Sequence, residues 1–143
     1  MIYFNIKTKY FINLSKKKYL IDAKNKKIGR LSSKVVNLLL GKNNYKYTPN
    51  YSFINQIYII NAKFLLLSKN KLKKKIYYRY SGYIGNKKIY TLETLFKKNP
   101  TIILKRSIFR MLPKNLLGKY AKKNLFIYNE NLINKNKLIK YKI

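Results

Sequence analysis

The spacing of apolar residues changes several times along this chain, and each change marks an expected element. Tyr19 to Ala23 (YLIDA) is a short apolar run with strand character, and Lys24, Asn25, Lys26 and Lys27 supply a polar turn after it. From Ile28 the spacing becomes three and four. Ile28, Leu31, Val35, Leu38 and Leu39 define the buried face of an amphipathic helix. Arg30, Lys34 and Asn37 lie on the other face, and Gly41 stands where a left-handed cap would end the helix. Gln56 to Ala62 (QIYIINA) is almost continuously apolar, which suits a strand buried on both faces in a parallel sheet. Phe64 to Ser68 reads as an extension of that strand or a partner to it. Lys69 to Lys75 (KNKLKKK) reads as a basic connection. Ile76 to Tyr80 (IYYRY) is another strand, closed by the glycine-punctuated segment from Ser81 to Asn86.

Thr91 is placed to cap a helix, with Glu93 near the positive end of its dipole and Leu92, Leu95 and Phe96 as its packed stripe. Asn99-Pro100 ends that helix and starts another, since proline is tolerated in a first turn. Ile102, Ile103, Ile108, Phe109 and Leu112 then alternate with Lys105, Arg106 and Arg110 up to a stop at Pro113. Leu125 to Tyr128 (LFIY) reads as the last short strand, and the Asn- and Lys-rich stretch beyond Glu130 is expected to be ordered only by a partner. The order strand, helix, strand, strand, helix, helix, strand favours an α/β fold. No repeat or linker is visible. The expectation is one domain: a basic arm over 1–18, an α/β body over 19–130 and a basic tail over 131–143.

Charge changes the picture from fold to partner. Thirty-four Lys and Arg face three acidic residues, Asp22, Glu93 and Glu130, a net charge of +31 on 143 residues. A domain of this length has a radius of about 15 Å, so self-repulsion opposes its compact state. A dense polyanion relieves that repulsion, and nucleic acid is the expected one. A hydrophobic content of 47% separates the chain from disordered basic tails. There is no Cys and no His, so disulfides, thiolate metal sites and Ser-His-Asp relays are excluded. The chain is expected to be a binder without cofactor, metal or small-molecule substrate.

Apolar runs such as Ile57 to Ile60 and Phe64 to Leu67 are strand-length, well short of the roughly 18 to 20 residues that span a bilayer. The first eighteen residues are cationic and acid-free, compatible with an import presequence or with an ordinary basic arm. The excess of Lys over Arg, with abundant Asn, Ile and Tyr, reads as codon drift toward A and T, as in an organelle, a parasite or an endosymbiont.

The candidate phosphate contacts are Lys26, Lys27, Arg30 and Lys34, then Lys42 and Lys46, then Lys73, Lys74, Lys75 and Arg79. Lys87, Lys88, Lys105, Arg106, Arg110, Lys114, Lys119, Lys122 and Lys123 complete the cationic set, and Lys16-Lys17-Lys18 forms a further cluster. Each pair by itself reads as a solvated face; their collective lack of acidic partners reads as binding. Neutralising about ten phosphates would make log affinity fall with log salt at a slope of roughly −7 to −9. Such contacts position a protein and carry little sequence information. In the loop from Lys42 to Pro49, Tyr45 and Tyr47 are placed to stack on unpaired bases, or Tyr47 packs on the core while Pro49 shapes the turn. Gly82 and Gly85 allow close approach of a phosphate, or satisfy a turn.

Met111 to Lys119 (MLPKNLLGK) is the most specific segment. It resembles the hallmark of the bacterial-type L-thirteen family of large-subunit ribosomal proteins. IDAKNKKIGRLSSKVVNLLLGK at Ile21 to Lys42, YKYTP at Tyr45 to Pro49, IINA at Ile59 to Ala62, YYRYSGYIG at Tyr77 to Gly85 and LFIYNE at Leu125 to Glu130 follow the same family's order. The resemblance covers about Tyr19 to Glu130. It implies a three-layer α/β/α domain around a small, mostly parallel sheet. It also implies a structural role in binding large-subunit rRNA beside neighbouring ribosomal proteins, with early addition during assembly. By position, the family's basic helix start falls on Lys26, Lys27 and Arg30, and its lysine-tyrosine loop on Lys42, Tyr45, Lys46 and Tyr47. Its glycine loop falls on Gly82 and Gly85, and its MLP loop on Met111, Pro113, Lys114, Gly118 and Lys119. Three places depart from it. Tyr51 to Asn55 replaces an acidic, Gly-containing turn, Arg110 replaces a Gly, and Asn131 to Asn134 replaces a His-bearing segment.

The leading expectation is therefore a structural rRNA binder of an organellar ribosome, mitochondrial slightly ahead of plastid, with the cytoplasm of a reduced bacterium behind. A nucleoid-type DNA binder outside the ribosome is the alternative that charge alone permits. A membrane-surface binder using the basic arm is a third.

Overall fold

A computed structural model describes residues 17–45, 47–49, 55–130 and 139–141. The arm through Lys16, Lys46, the Tyr51 to Ile54 part of the divergent turn, and Asn131 to Asn134 lie outside the described residues.

Four strands form a parallel sheet in the order β5-β2-β1-β6: β1 (Lys18–Asp22), β2 (Gln56–Ile60), β5 (Leu125–Ile127) and β6 (Ile139–Lys140). In the inner strand β2, Ile57 and Ile59 are fully buried on one face, while on the other Ile60 is buried and Tyr58 half-buried. Tyr19, Ile57 and Leu125 share one row of the sheet, and Ile21, Ile59 and Ile127 share the row two residues on. Because strand side chains alternate, both rows point to one face. That face meets Leu31, Val35, Leu38 and Leu39 of α1 (Ile28–Leu39) in a continuous core. Leu104 and Ile108 of α4 (Pro100–Met111) and Ala121 of α5 (Leu116–Lys123) join it. On the other face Tyr58 and Phe126 stack, with ring centroids 5.0 Å apart.

Helix ends follow local chemistry. α1 ends in a Schellman motif: Gly41 has φ +72°, its N–H donates to Leu38 O, and the Lys42 N–H donates to Asn37 O. Buried Asn55 donates its Nδ2 to the same Leu38 carbonyl at 2.8 Å. Thr91 Oγ1 accepts from Thr94 N at 3.3 Å to cap α3 (Leu92–Lys98), and Asn99 Oδ1 accepts from Thr101 N ahead of Pro100. Where α1 and α4 pack together, buried Ser32 donates to Ser107 Oγ at 2.9 Å.

Several elements differ from the sequence expectation. Phe64 to Ser68 does not extend β2. Asn61, at φ +61° and donating to Asp22 Oδ1 at 2.9 Å, turns the chain into a 3-10 turn at Ala62–Phe64. Leu66 then makes a single parallel bridge to Lys27. The basic connection contains a short helix, α2 (Lys69–Lys74), whose last-turn Lys71, Lys73 and Lys74 suit the negative end of the helix dipole. β3 (Ile76–Tyr80) pairs antiparallel with β4 (Lys87–Thr91), a strand the pattern did not suggest.

The segment after Pro113 is loop only to Asn115. Asn115 Oδ1 accepts from Gly118 N at 2.9 Å and starts α5. The last strand is β6, not the LFIY segment, so part of the tail is ordered by the fold itself. Tyr141 N donates to Leu20 O at 2.9 Å, and its ring meets Tyr19 edge-on at 5.9 Å. The pairing covers backbone groups along the edge of β1 that would otherwise be open. The result is a single α/β domain with a mostly parallel sheet and one antiparallel hairpin.

Candidate nucleic-acid interface

The three acidic side chains are all engaged. Asp22 accepts from Lys24 N and Asn61 Nδ2, Glu93 pairs with Lys97 at 2.9 Å, and Glu130 pairs with Lys63. The side-chain hydrogen bond from Lys97, then its charge, holds the Glu93 carboxyl below the usual carboxylate range, with a smaller contribution from Lys73. Lys63 acts the same way on Glu130. No acidic side chain is left to neutralise the cations described next.

The β3–β4 hairpin is a platform of aromatics and cations. Register places Tyr78 opposite Ile89, Tyr80 opposite Lys87, and Arg79 directly opposite Lys88. Like charges across a strand pair destabilise it, so the Arg79–Lys88 pair favours an anion laid over it. Tyr78, Tyr80, Tyr83, Ile84 and Ile89 are exposed, and Lys87 Nζ lies 4.4 Å from the Tyr78 ring centroid. Gly82 at φ +98° and Gly85 at φ +78° make the turn, a conformation that favours glycine; the space beside each is open.

Tyr77, the one buried residue of β3, lies on the face opposite Tyr78 and Tyr80, the face it shares with the Arg79–Lys88 pair. Lys75 Nζ, Arg106 Cζ and Arg110 Cζ lie 5.6, 5.2 and 5.8 Å from its ring centroid. They line a pocket of about 220 Å³ with Lys71, and Met111 and Ile28 also form its walls. Ile28 begins α1, beside Lys27 and two residues before exposed Arg30. Lys26, Lys27 and Arg30 thus add cationic side chains to the positive end of a helix dipole, while Lys34 lies exposed further along α1.

Met111 also lines a neighbouring groove with Lys42, Tyr47, Pro49, Pro113 and Asn115. The lysine-tyrosine loop and the MLP loop, far apart in sequence, therefore form one surface. Tyr47 is half-buried there, whereas Tyr45 is 93% exposed. Lys114 and Lys119 are exposed beside this groove's lining residues in sequence. Lys105 and Lys122 bracket Phe109 at 5.5 and 5.3 Å, joining α4 to α5. Lys73 and Lys74 on α2, and Lys123 at the end of α5, are exposed.

Sequence reasoning named these cations as candidates; it did not single out Lys71 or the hairpin tyrosines Tyr77, Tyr78, Tyr80 and Tyr83, which the fold places beside them. The available signal was the tyrosine density of IYYRY, whose alternation sets Ile76, Tyr78 and Tyr80 on one face and Tyr77 with Arg79 on the other. None of the helices among the described residues is long and apolar enough to cross a membrane.

Comparison with known proteins gives this surface its context. A profile of the family described as Ribosomal protein L13 matches residues 16–134. The protein named large ribosomal subunit protein uL13 in Mycoplasmopsis synoviae (strain 53) is 40% identical over 116 residues, 81% of each chain. Its namesake in Buchnera aphidicola subsp. Cinara cedri is 43% identical over 124 residues, 85% of this chain and 87% of that one. Large ribosomal subunit protein uL13c of Gracilaria tenuistipitata var. liui is 43% identical over 116 residues, 80% of each. With a match that takes in both basic loops, the hairpin and every strand but β6, this chain belongs to the ribosomal protein L13 family.

Proposed function

We propose that the chain is a structural constituent of the large ribosomal subunit that binds large-subunit rRNA, abuts neighbouring ribosomal proteins and supports early subunit assembly. Its family is structural, and the chain is not an enzyme. The observation that carries the reading is the uncompensated charge: cations cover the hairpin, the Tyr77 pocket and the MLP groove, while the three acidic side chains are paired elsewhere. RNA phosphates neutralise the cations, and the exposed tyrosines offer flat faces to unpaired bases. Lys26, Lys27, Arg30, Lys42, Lys46, Lys87, Lys88, Lys114 and Lys119 act as positioning contacts on the phosphate backbone.

A composition skewed toward Lys, Asn, Ile and Tyr, as A- and T-rich codons would give, supports an organellar ribosome. Likeness to proteins of bacteria supports a reduced bacterium as the alternative. Sedimentation of native extract through a sucrose gradient tests the reading. The chain should travel with large subunits and leave them after ribonuclease treatment. Migration with DNA, lost on deoxyribonuclease treatment, would establish the nucleoid reading in its place.

A further inference from the structure

The pocket over Tyr77 differs from the rest of the basic surface. It is concave, has an aromatic wall, and draws its charges from separate parts of the fold. Lys71 comes from α2, Lys75 from the junction before β3, and Arg106 and Arg110 from α4. Arg106 and Arg110 stand four residues apart on one helix, a spacing at which like charges repel. Folding brings Lys71 and Lys75 to the same cavity and adds to that repulsion. No carboxylate relieves it: no acidic residue lines the pocket, and Asp22, Glu93 and Glu130 are engaged elsewhere. The Tyr77 ring face offsets part of the charge, because three of the cations lie within 6 Å of its centroid. A ring quadrupole is a weak counter-charge compared with a phosphate oxygen. Two guanidinium groups also offer the forked donors that match a tetrahedral oxyanion.

We propose that this pocket seats a single phosphate group of the RNA backbone, held by Arg106 and Arg110 with Lys71 and Lys75 supplying further charge. The inference rests on the rRNA-binding reading and goes beyond it, in that one discrete seat, not a diffuse charged face, holds a particular phosphate. At about 220 Å³ the cavity has room for a phosphate with part of its sugar. Met111 closes its wall and also lines the MLP groove, so a strand seated here continues toward Lys42 and Tyr47.

The sequence supplies a reporter, because Met111 and Met1 are its two methionines. The full chain, labelled with ¹³C at the methionine methyls, is titrated with a short RNA hairpin carrying single-stranded flanks. The Met111 methyl resonance should shift saturably. Inorganic phosphate should reverse the shift at concentrations where sodium chloride of equal ionic strength does not.

Arg106→Gln/Arg110→Gln should weaken the RNA-induced shift at least tenfold. The control Lys24→Gln/Lys98→Gln, which removes equal charge outside the pocket, should weaken it much less. An unmoved Met111 resonance, equal losses in the two double variants, or chloride competing as well as phosphate would each overturn the proposal. A shift produced by inorganic phosphate and not by RNA would assign the seat to a free anion and overturn the RNA source. The phosphate-against-chloride comparison needs only the parent chain, so it stands even where a variant fails to fold. Co-sedimentation with subunits alongside a silent Met111 removes the pocket alone. A responsive Met111 without co-sedimentation removes the ribosomal role and leaves the pocket.

Discussion

The carbonyl oxygen of Pro113 comes so close to Gly118 that a Cβ built on Gly118 would lie 1.9 Å from it. Gly118 is helical, at a site that ordinarily penalises glycine, and it is buried. The close approach lets α5 fold back on the Pro113 loop and sets the MLP groove. Gly118→Ala forces the loop and helix apart. Its expected cost is about 1–3 kcal/mol, as for overpacking at a tight site, read as a lower urea midpoint. An unchanged midpoint would show that the loop yields freely.

Asn99 ends α3 and caps α4 at one position, accepting from both Thr101 N and Thr101 Oγ1. Asn99→Ala should lower stability by about 1 kcal/mol, within the usual range for a lost cap. Asn99→Asp, which keeps the acceptor, should retain most of that stability. Equal losses in the two variants would remove the cap from the account.

On the hairpin, aromatics and cations should separate by salt dependence. Tyr80→Ala or Tyr83→Ala should weaken rRNA binding by about 1–3 kcal/mol if the ring stacks on a base, leaving the salt slope unchanged. Arg79→Gln/Lys88→Gln should instead make the slope shallower by about 1.4–1.8, two phosphate contacts' worth. It should also raise the melting temperature of the free chain, because the two charges stand opposite one another. Identical slopes for both kinds of variant would contradict the division of labour.

Glu93 and Glu130 are held below their ordinary value of 4.5 by their lysine partners. A carboxylate with a depressed folded pKa contributes stability above its unfolded value and loses it as pH falls through the folded one. The window therefore lies below about pH 4.5. Both pairs are exposed, so the acid loss is small. Glu93→Gln/Glu130→Gln should flatten the decline of melting temperature with acid. A decline as steep as the parent's would assign it to other groups.

Binding should also stabilise the chain by mass action, since RNA takes up the native form. Its melting temperature should rise with cognate rRNA concentration and fall back as salt is added. A melting temperature indifferent to RNA would count against a chain held compact by its polyanion.

Much of the fold could be read locally. α1, the Gly41 ending, Thr91, the Asn99-Pro100 junction and the inner strand β2 all follow from spacing and capping within a turn or two. α5 was hidden because Gly118 and Pro113 read as loop residues, although Asn115 was a usable cap signal. β4 was hidden because Lys87 to Thr91 is short and has no clean apolar alternation. β6 was hidden because Ile139 and Lys140 gain strand character only by lying along β1.

By itself the sequence determined that this protein is strongly basic, has neither His nor Cys and folds as a single α/β domain, and its motif order pointed to one family. Net charge, periodicity and caps are properties of neighbours in the chain, so they survive without coordinates. Only the tertiary structure decided that Lys75, Arg106 and Arg110 share the ring of Tyr77, and that Tyr47 and Pro113 line one groove. Those meetings depend on how the hairpin and helices pack across the core, a long-range arrangement that no local window of residues encodes.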